Sequence, residues 1–318
     1  MLEWPLGVSK SSIYDLEHNL KIFESTPLEP LPSDSKIPIL LLHRGTLNAK
    51  SDSKRLEVNF GWDIVAPKGW GMPLWNLFAF GGAKVGGLRD YNILHFESGL
   101  AAFSRDYPET ETYEYESKIE EKTKQAKYKR TPKLYRFDFT KTNFINPFAP
   151  DFKGLLGIEA QSRISVIHSQ RLVDILVETL KEIKLYGTFE SFCVGYLEKI
   201  SKLLQQRSFA SKLKSLSIET IKYLYVRVKI LLNEGSVEHY SAICLPSLKS
   251  ELDQKLEIEN VMGYITTGGF QITSGKSVGI GCCTLHGLYR FYHQGHNQVG
   301  VRTPKGRLER HGKLELIA

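Results

Sequence analysis

The sequence predicts an α+β chain, with a Trp/Gly-rich first module and a β-rich, barrel-like carboxyl-terminal module. Three observations predict it. Residues 61–90, GWDIVAPKGWGMPLWNLFAFGGAKVGGLRD, hold three tryptophans and many glycines among only five charged residues. Bulky indoles beside bare backbone make a rigid, close-fitting surface. Between Ser165 and Leu204, apolar residues such as Leu172, Ile175, Leu176, Leu180 and Ile183 recur at helical spacing. From Lys222 onward the period shortens to two, and glycines punctuate short strands, the pattern of a small barrel or sandwich.

The elements follow in order. Residues 1–36 contain STPLEPLPSDS, whose prolines and serines mark an extended linker. A strand is predicted over Ile37–Leu42 and a loop over Lys50–Lys54, followed by a strand over Trp62–Val65 and a turn at Pro67–Lys68–Gly69. A helix over Pro73–Phe80 should carry proline in its first turn and stop at Gly81–Gly82. Residues 37–110 are taken as one module. Residues 111–141 start acidic and turn basic, which predicts either a solvated, partly helical linker or an arm that orders on a polyanion. A helical region over 142–215 includes a second helix at Phe189–Leu204. The β-rich module spans 216–318, where YLYVRVKILL alternates as Val226/Arg227/Val228/Lys229/Ile230 before Gly235 turns the chain. The strands SAICLP, GYITTGGFQI, SVGIGCCTL and KLELIA complete it.

A chain of 318 residues with 42% hydrophobic and 11% aromatic content can build a large core. Its net charge of +7 favours an anionic partner. Four cysteines, two of them adjacent, do not make a disulfide framework and point to a reducing compartment. No run approaches the roughly 20 apolar residues of a membrane span, so no membrane partner is expected.

Candidate chemistry is sparse. GGFQITSGKS (Gly268–Ser277) has five residues between Gly269 and Gly275 where a P-loop has four, and strand-like runs flank it, so a hairpin turn is predicted. GGAKVGGLRD does not space as a dinucleotide fingerprint. Cys283, His286, His293 and His296 spell CxxH and HxxH, a weak zinc candidate against the simpler reading of a strand cysteine and surface histidines. No nucleophile elbow, HExxH or assignable carboxylate pair is present, and Asp63 and Asp90 each read as a cap or ion-pair partner. The chain is not expected to be an enzyme by itself, nor to bind a cofactor.

The Trp/Gly stretch nevertheless carries a family signature. PILLLHRG, Gly61–Trp62–Asp63, Pro67–Lys68–Gly69–Trp70–Gly71, Trp75, the run from Gly82 through Gly86 and Gly87 to Arg89, and SRDYP (Ser104–Pro108) resemble the POPLD segment of the largest protein subunit of eukaryotic ribonuclease P and ribonuclease MRP. YVRVKI, SAICLP, GYITTGGFQITSGKSVGIG (with Gly268 and Gly269) and VGVRT resemble that family's carboxyl-terminal module in the same order. The resemblance covers about residues 37–110 and 220–305. Family members are usually longer, with a basic amino-terminal half, so a short or truncated form is expected.

That resemblance implies a non-catalytic, RNA-binding scaffold in the nucleus and nucleolus. Its partners would be ribonuclease P RNA, ribonuclease MRP RNA and the other protein subunits, in 5′ maturation of precursor tRNA and processing of precursor rRNA. Magnesium would act at the RNA subunit. The barrel pattern also looks like that of folate-binding aminomethyltransferases, giving a folate-binding protein as the alternative. Lys68, Trp70, Lys84, Arg89, Arg227, Lys229 and Arg302 are the RNA-contact candidates, since cations take phosphates and indoles stack on unpaired bases. Trp62, Trp70 and Trp75 have core packing as their other reading.

Overall fold

The chain divides into two compact units between Leu94 and His95, inside the segment read from sequence as one module. The structure is a computed structural model and describes residues 36–44, 61–142, 144, 146–157, 164–205, 218–246, 256–306 and 309–317. The amino-terminal linker and the Lys50–Lys54 loop lie outside them.

In the first unit, strand β1 (Leu40–Arg44) pairs antiparallel with β2 (Gly61–Val65), Leu40 opposite Val65 and Arg44 opposite Gly61. A turn follows in which Gly69 has φ +95° and the Trp70 amide donates to the Pro67 carbonyl at 3.2 Å. Helix α1 (Gly71–Phe80) starts two residues earlier than the sequence suggests, with Pro73 in its first turn, where a missing N–H costs nothing. It ends as predicted, at Gly81 and Gly82, the latter at φ +83°. Helix α2 (Leu88–Glu97) is capped by its own Asp90, which accepts from the Gly87 amide at 2.7 Å. Left-handed backbone thus falls at Gly69 and Gly82, while Gly87 serves as a cap donor.

The second unit is built on a closed barrel. Helix α3 (Glu111–Arg130) and short helix α4 (Phe152–Leu156) precede strand β3 (Ser165–Ile167). Helices α5 (Gln170–Lys181), α6 (Phe189–Gln205) and α7 (Ile218–Lys222) come next. Strands β4 (Leu224–Leu232), β5 (Ala242–Cys244), β6 (Val261–Gln271) and β7 (Lys276–Thr284) lead to helix α8 (Leu285–His293), then β8 (Val299–Arg302) and β9 (Arg310–Leu316). The sheet runs β3-β4-β7-β6-β5-β8-β9, and β9 returns to pair with β4, closing six strands. One edge of β4 is shared, β3 lying parallel along Leu224–Val226 and β9 antiparallel along Val228–Leu232.

Alternation along the strands sorts two cores. Val226, Val228 and Ile230 of β4 join Ile243, Ile265, Val299, Val301 and Leu314 in one cluster with the buried faces of α5, α6 and α8. The opposite face, with Tyr225, Ala242, Cys244, Tyr264 and Cys282, is covered by Phe152, Ile164 and Leu256. Phe152 stands edge-on to both Tyr225 and Tyr264, at 5.5 and 5.6 Å between ring centres.

The structure adds to or differs from the sequence reading in three places. Residues 111–130, read as part of a solvated, partly helical linker or an ordering arm, form a single helix. Thr110 caps it, Glu114–Lys118 and Glu120–Lys124 pair at i,i+4, and acids at its start and bases at its end complement its dipole. The helical stretch from Ser165 opens with a strand, because β4 offers it an edge. Residues 285–293 form helix α8, opened by the Thr284 hydroxyl accepting from the Gly287 amide at 3.0 Å. The P-loop look-alike is the predicted hairpin, with Gln271 opposite Lys276.

One carboxylate ties the SRDYP segment to the barrel. Asp106 is buried and accepts from the Ala102 amide at 2.8 Å through one oxygen, and from the Thr266 and Thr267 hydroxyls through the other. The two threonines are successive residues at an irregularity of β6, where the register against β7 slips between Ile265 and Thr267. A regular strand would turn such neighbours to opposite faces, whereas the bulge brings both to one oxygen.

Asp106→Ala should cost about 3 kcal/mol or more in urea unfolding, since three donors lose a charged acceptor. A loss below about 1 kcal/mol would show that Asp106 is not the tie. Gly69→Ala and Gly82→Ala should each cost about 1 kcal/mol because of their positive φ, and Gly87→Ala should cost less than half that. Equal losses at all three positions would contradict the assignment.

Candidate nucleic-acid interface

The sequence-derived RNA contacts separate by burial. Lys68, Lys84 and Arg89 are exposed in the first unit. Trp70 is 4% exposed and therefore core, whereas Trp62 and Trp75 are 61% and 51% exposed. Arg227 is 1% exposed. Its guanidinium lies over the Tyr107 ring at 4.3 Å and its Nη2 stands 3.7 Å from Glu109 Oε1, which also meets His168 Nε2 at 2.9 Å. Arg302 is likewise buried, 3.6 Å from Glu309. Neither arginine can reach a phosphate without leaving the core, so both are corrected from contact to structural roles. Lys229 is half-buried with its stem against Gly99, where a Cβ would sit 2.7 Å from its Nζ.

The zinc candidates do not converge. Cys283 is fully buried in β7, and burial pushes its thiol well up. His286 packs edge-on to Phe189 at 4.8 Å, with its pKa lowered by burial and by Arg290. His293 stacks on Tyr289 and His296 meets Gln294. Among the described residues, no three His, Cys, Asp or Glu side chains gather as a metal site.

The surface that does gather cations is the end of α3, in the segment expected to be a linker. Lys127, Lys129 and Arg130 occupy its last turn, and Lys133 follows in a short 3-10 turn over Lys133–Tyr135. Arg136 folds back on this end, donating through Nε to the Thr131 carbonyl at 2.9 Å and through Nη2 to the Lys129 carbonyl at 2.5 Å. Such cations satisfy the carbonyls left open at a helix end. They also hold the 131–141 chain beside α3.

Below that end lies a cleft of about 560 Å³, within the second unit. Its rings form one cluster. Tyr128 lies 5.4 Å from Phe139 and 5.5 Å from Phe148, and Phe139 lies 5.1 Å from Phe137. The Tyr128 hydroxyl donates to the Phe137 carbonyl at 2.8 Å, fixing the loop. The far wall is Val237–Tyr240 with Gly268, Pro304 and Lys305. Tyr240 sits at φ +65°, a strained setting for a bulky residue. It is held by Lys124 Nζ over its ring at 3.6 Å and by its hydroxyl donating to Glu120. Arg105 Nη2 lies 2.9 Å from His239 Nε2, and the Nδ1 side of the ring faces both the Thr266 carbonyl at 3.1 Å and the Gly268 amide at 3.2 Å. Burial, and then Arg105, lower the His239 pKa.

Sequence reading missed this cleft because its parts come from 124–148, 237–240, 268 and 304–305. The one signal was the interleaving of KYKR, KLYRFDF and PFAP, cations among aromatics. Gly268, noted only as a motif glycine, is placed here, where a Cβ would press on Val237 Cγ1 at 2.7 Å.

Comparison with known proteins gives two domain matches. Residues 61–152 match the POPLD (NUC188) domain, and residues 249–318 match the POP1 C-terminal domain. The human ribonucleases P/MRP protein subunit POP1 is 33% identical over 117 residues, a stretch that is 37% of this chain and 11% of the human protein. The cleft draws on the POPLD stretch for one wall and on the C-terminal domain for part of the other.

Arg227→Met should lower stability by up to about 3 kcal/mol, because it leaves the mostly buried Glu109 carboxylate with only His168 beside it. Where the variant stays folded, its RNA affinity should match the parent at every salt concentration. A stable Arg227→Met protein with weakened RNA binding would restore Arg227 as a contact.

Proposed function

We infer that this chain, a POP1-like protein by its two matched domains, is a subunit of ribonuclease P and ribonuclease MRP ribonucleoproteins and works there as a non-catalytic, RNA-binding scaffold. On this reading it supports 5′ maturation of precursor tRNA and processing of precursor rRNA in the nucleus and nucleolus. Its partners are the two RNAs and the other subunits, and the cleavage chemistry with its magnesium belongs to the RNA. Among the described residues, no helix is long and apolar enough to cross a membrane.

The observation that carries the reading is the cationic end of α3 standing over an aromatic cleft. Lys127, Lys129, Arg130 and Lys133 are exposed and form no ion pair with a described residue, so their charge is available to an outside anion. Phosphates fit that charge, and unpaired bases fit the rings. The exposed Lys68, Lys84 and Arg89 can add contacts from the first unit.

Affinity for structured RNA should fall steeply with salt, with a log–log slope of roughly −0.7 to −0.9 per phosphate neutralised. Replacing Lys127, Lys129, Arg130 and Lys133 together by alanine should flatten that slope by about 3, with an unchanged melting temperature. A flat salt titration of the parent chain would overturn the reading. So would cleavage of precursor tRNA by the clean protein alone.

A further inference from the structure

We propose that the cleft between α3, residues 131–139 and 147–148, and the Val237–Tyr240 wall receives one unpaired nucleotide of an RNA strand, with the base against the rings and the phosphates at Lys127 and Lys305. The proposal rests on the RNA-binding reading above and goes further by assigning a pocket, a strand state and an orientation.

The first support is chemical. A purely apolar groove would suit a protein side chain, and a purely cationic one would suit a duplex backbone. This cleft has an aromatic floor of Tyr128, Phe137, Phe139 and Phe148 with cations at its rim. A nucleotide has the same two halves, a flat π-face and an anion. Its volume of about 560 Å³ falls within the range of sites that enclose a small organic group.

The second support is which groups are already in use. Lys124 is committed to Glu120 and to the Tyr240 ring. Arg136 is committed to the carbonyls at the end of α3. Lys127 and Lys305 are exposed, and neither pairs with a described residue. Tyr135 at the mouth is 77% exposed and packs against no ring of a described residue. A ring left open beside the floor can close over a base, and removing it should disturb little of the fold.

The third support is rigidity. Arg136 ties the loop to the helix end, the Tyr128 hydroxyl ties it to Phe137, and the strained Tyr240 is locked by Lys124 and Glu120. A preformed cleft loses little ordering entropy on binding. Paired bases cannot enter it, because their faces are stacked within the helix. Entry therefore requires an unpaired or extruded base, and the cleft should discriminate between strand states more than between base identities.

The test uses the full chain and a hairpin RNA carrying 2-aminopurine at one unpaired position, with a fully paired hairpin as control. Binding should quench the 2-aminopurine fluorescence severalfold. Tyr135→Ala should abolish most of that quenching and weaken the unpaired hairpin about tenfold, while the paired hairpin binds as before and the melting temperature is unchanged. Lys127→Ala with Lys305→Ala should weaken the unpaired hairpin and leave the quenching of bound RNA intact. If Tyr135→Ala and the double lysine variant both bind and quench like the parent, the pocket is wrong while the RNA-binding reading stands. If the parent binds neither hairpin, both fall. Saturable micromolar binding of free adenosine monophosphate or of tetrahydrofolate by calorimetry, abolished by Tyr135→Ala, would make this a small-molecule site and overturn the proposal.

Discussion

The Asp106 carboxylate on the Thr266–Thr267 bulge is the contact from which the second unit takes its form. It sits in a buried site where an ionised group persists only if its oxygens are well supplied with donors. Three donors meet that requirement, and meeting it fixes the path of residues 102–110 across the barrel. Thr110, a few residues on, caps α3 and so sets where that helix begins. The helix then carries its cations to the cleft 20 residues away. A surface property at Lys127 therefore depends on a buried hydrogen-bond pattern at Asp106.

The same logic explains the ion pair on the neighbouring strand. Arg227 would lie on the solvent side of a lone β4. The chain from Tyr107 to Glu109 covers that side, so the guanidinium exchanges water for a ring face and a carboxylate. Such a pair adds little net stability over an apolar substitute, but it resists any packing that leaves one charge alone. Together with Asp106 it makes the match between the SRDYP segment and the barrel face specific as well as tight.

Much of the fold could be read from the sequence, for reasons particular residues illustrate. The β4 alternation, the apolar faces of α5 and α6, and the 271–276 hairpin each depend on local period or turn chemistry. What periodicity does not report is what covers a face. Val-Arg-Val-Lys looks like a strand with a wet side, and only the tertiary arrangement dries it at Arg227. The full extent of helix α3 escaped because its sequence is polar nearly all round, as a linker's is. Its helical state comes from a cap, from i,i+4 pairs and from Tyr113 meeting Phe152 edge-on. Helix α8 was masked by the spacing of its histidines. The cleft was invisible for a different reason: Phe148 on one wall and Val237 on the other are 89 residues apart in sequence.

The closure of the barrel has a bearing on how the chain reaches this state. Strand β4 is made early in the barrel, yet part of its second edge waits for Arg310–Leu316, some eighty residues later in synthesis. Asp106 waits still longer, because its hydroxyl partners are 160 and 161 residues downstream. On a ribosome adding roughly 5–20 residues per second, the carboxylate spends on the order of ten seconds or more without its final partners. During that interval the β4 edge and the 99–110 segment are open to wrong pairings.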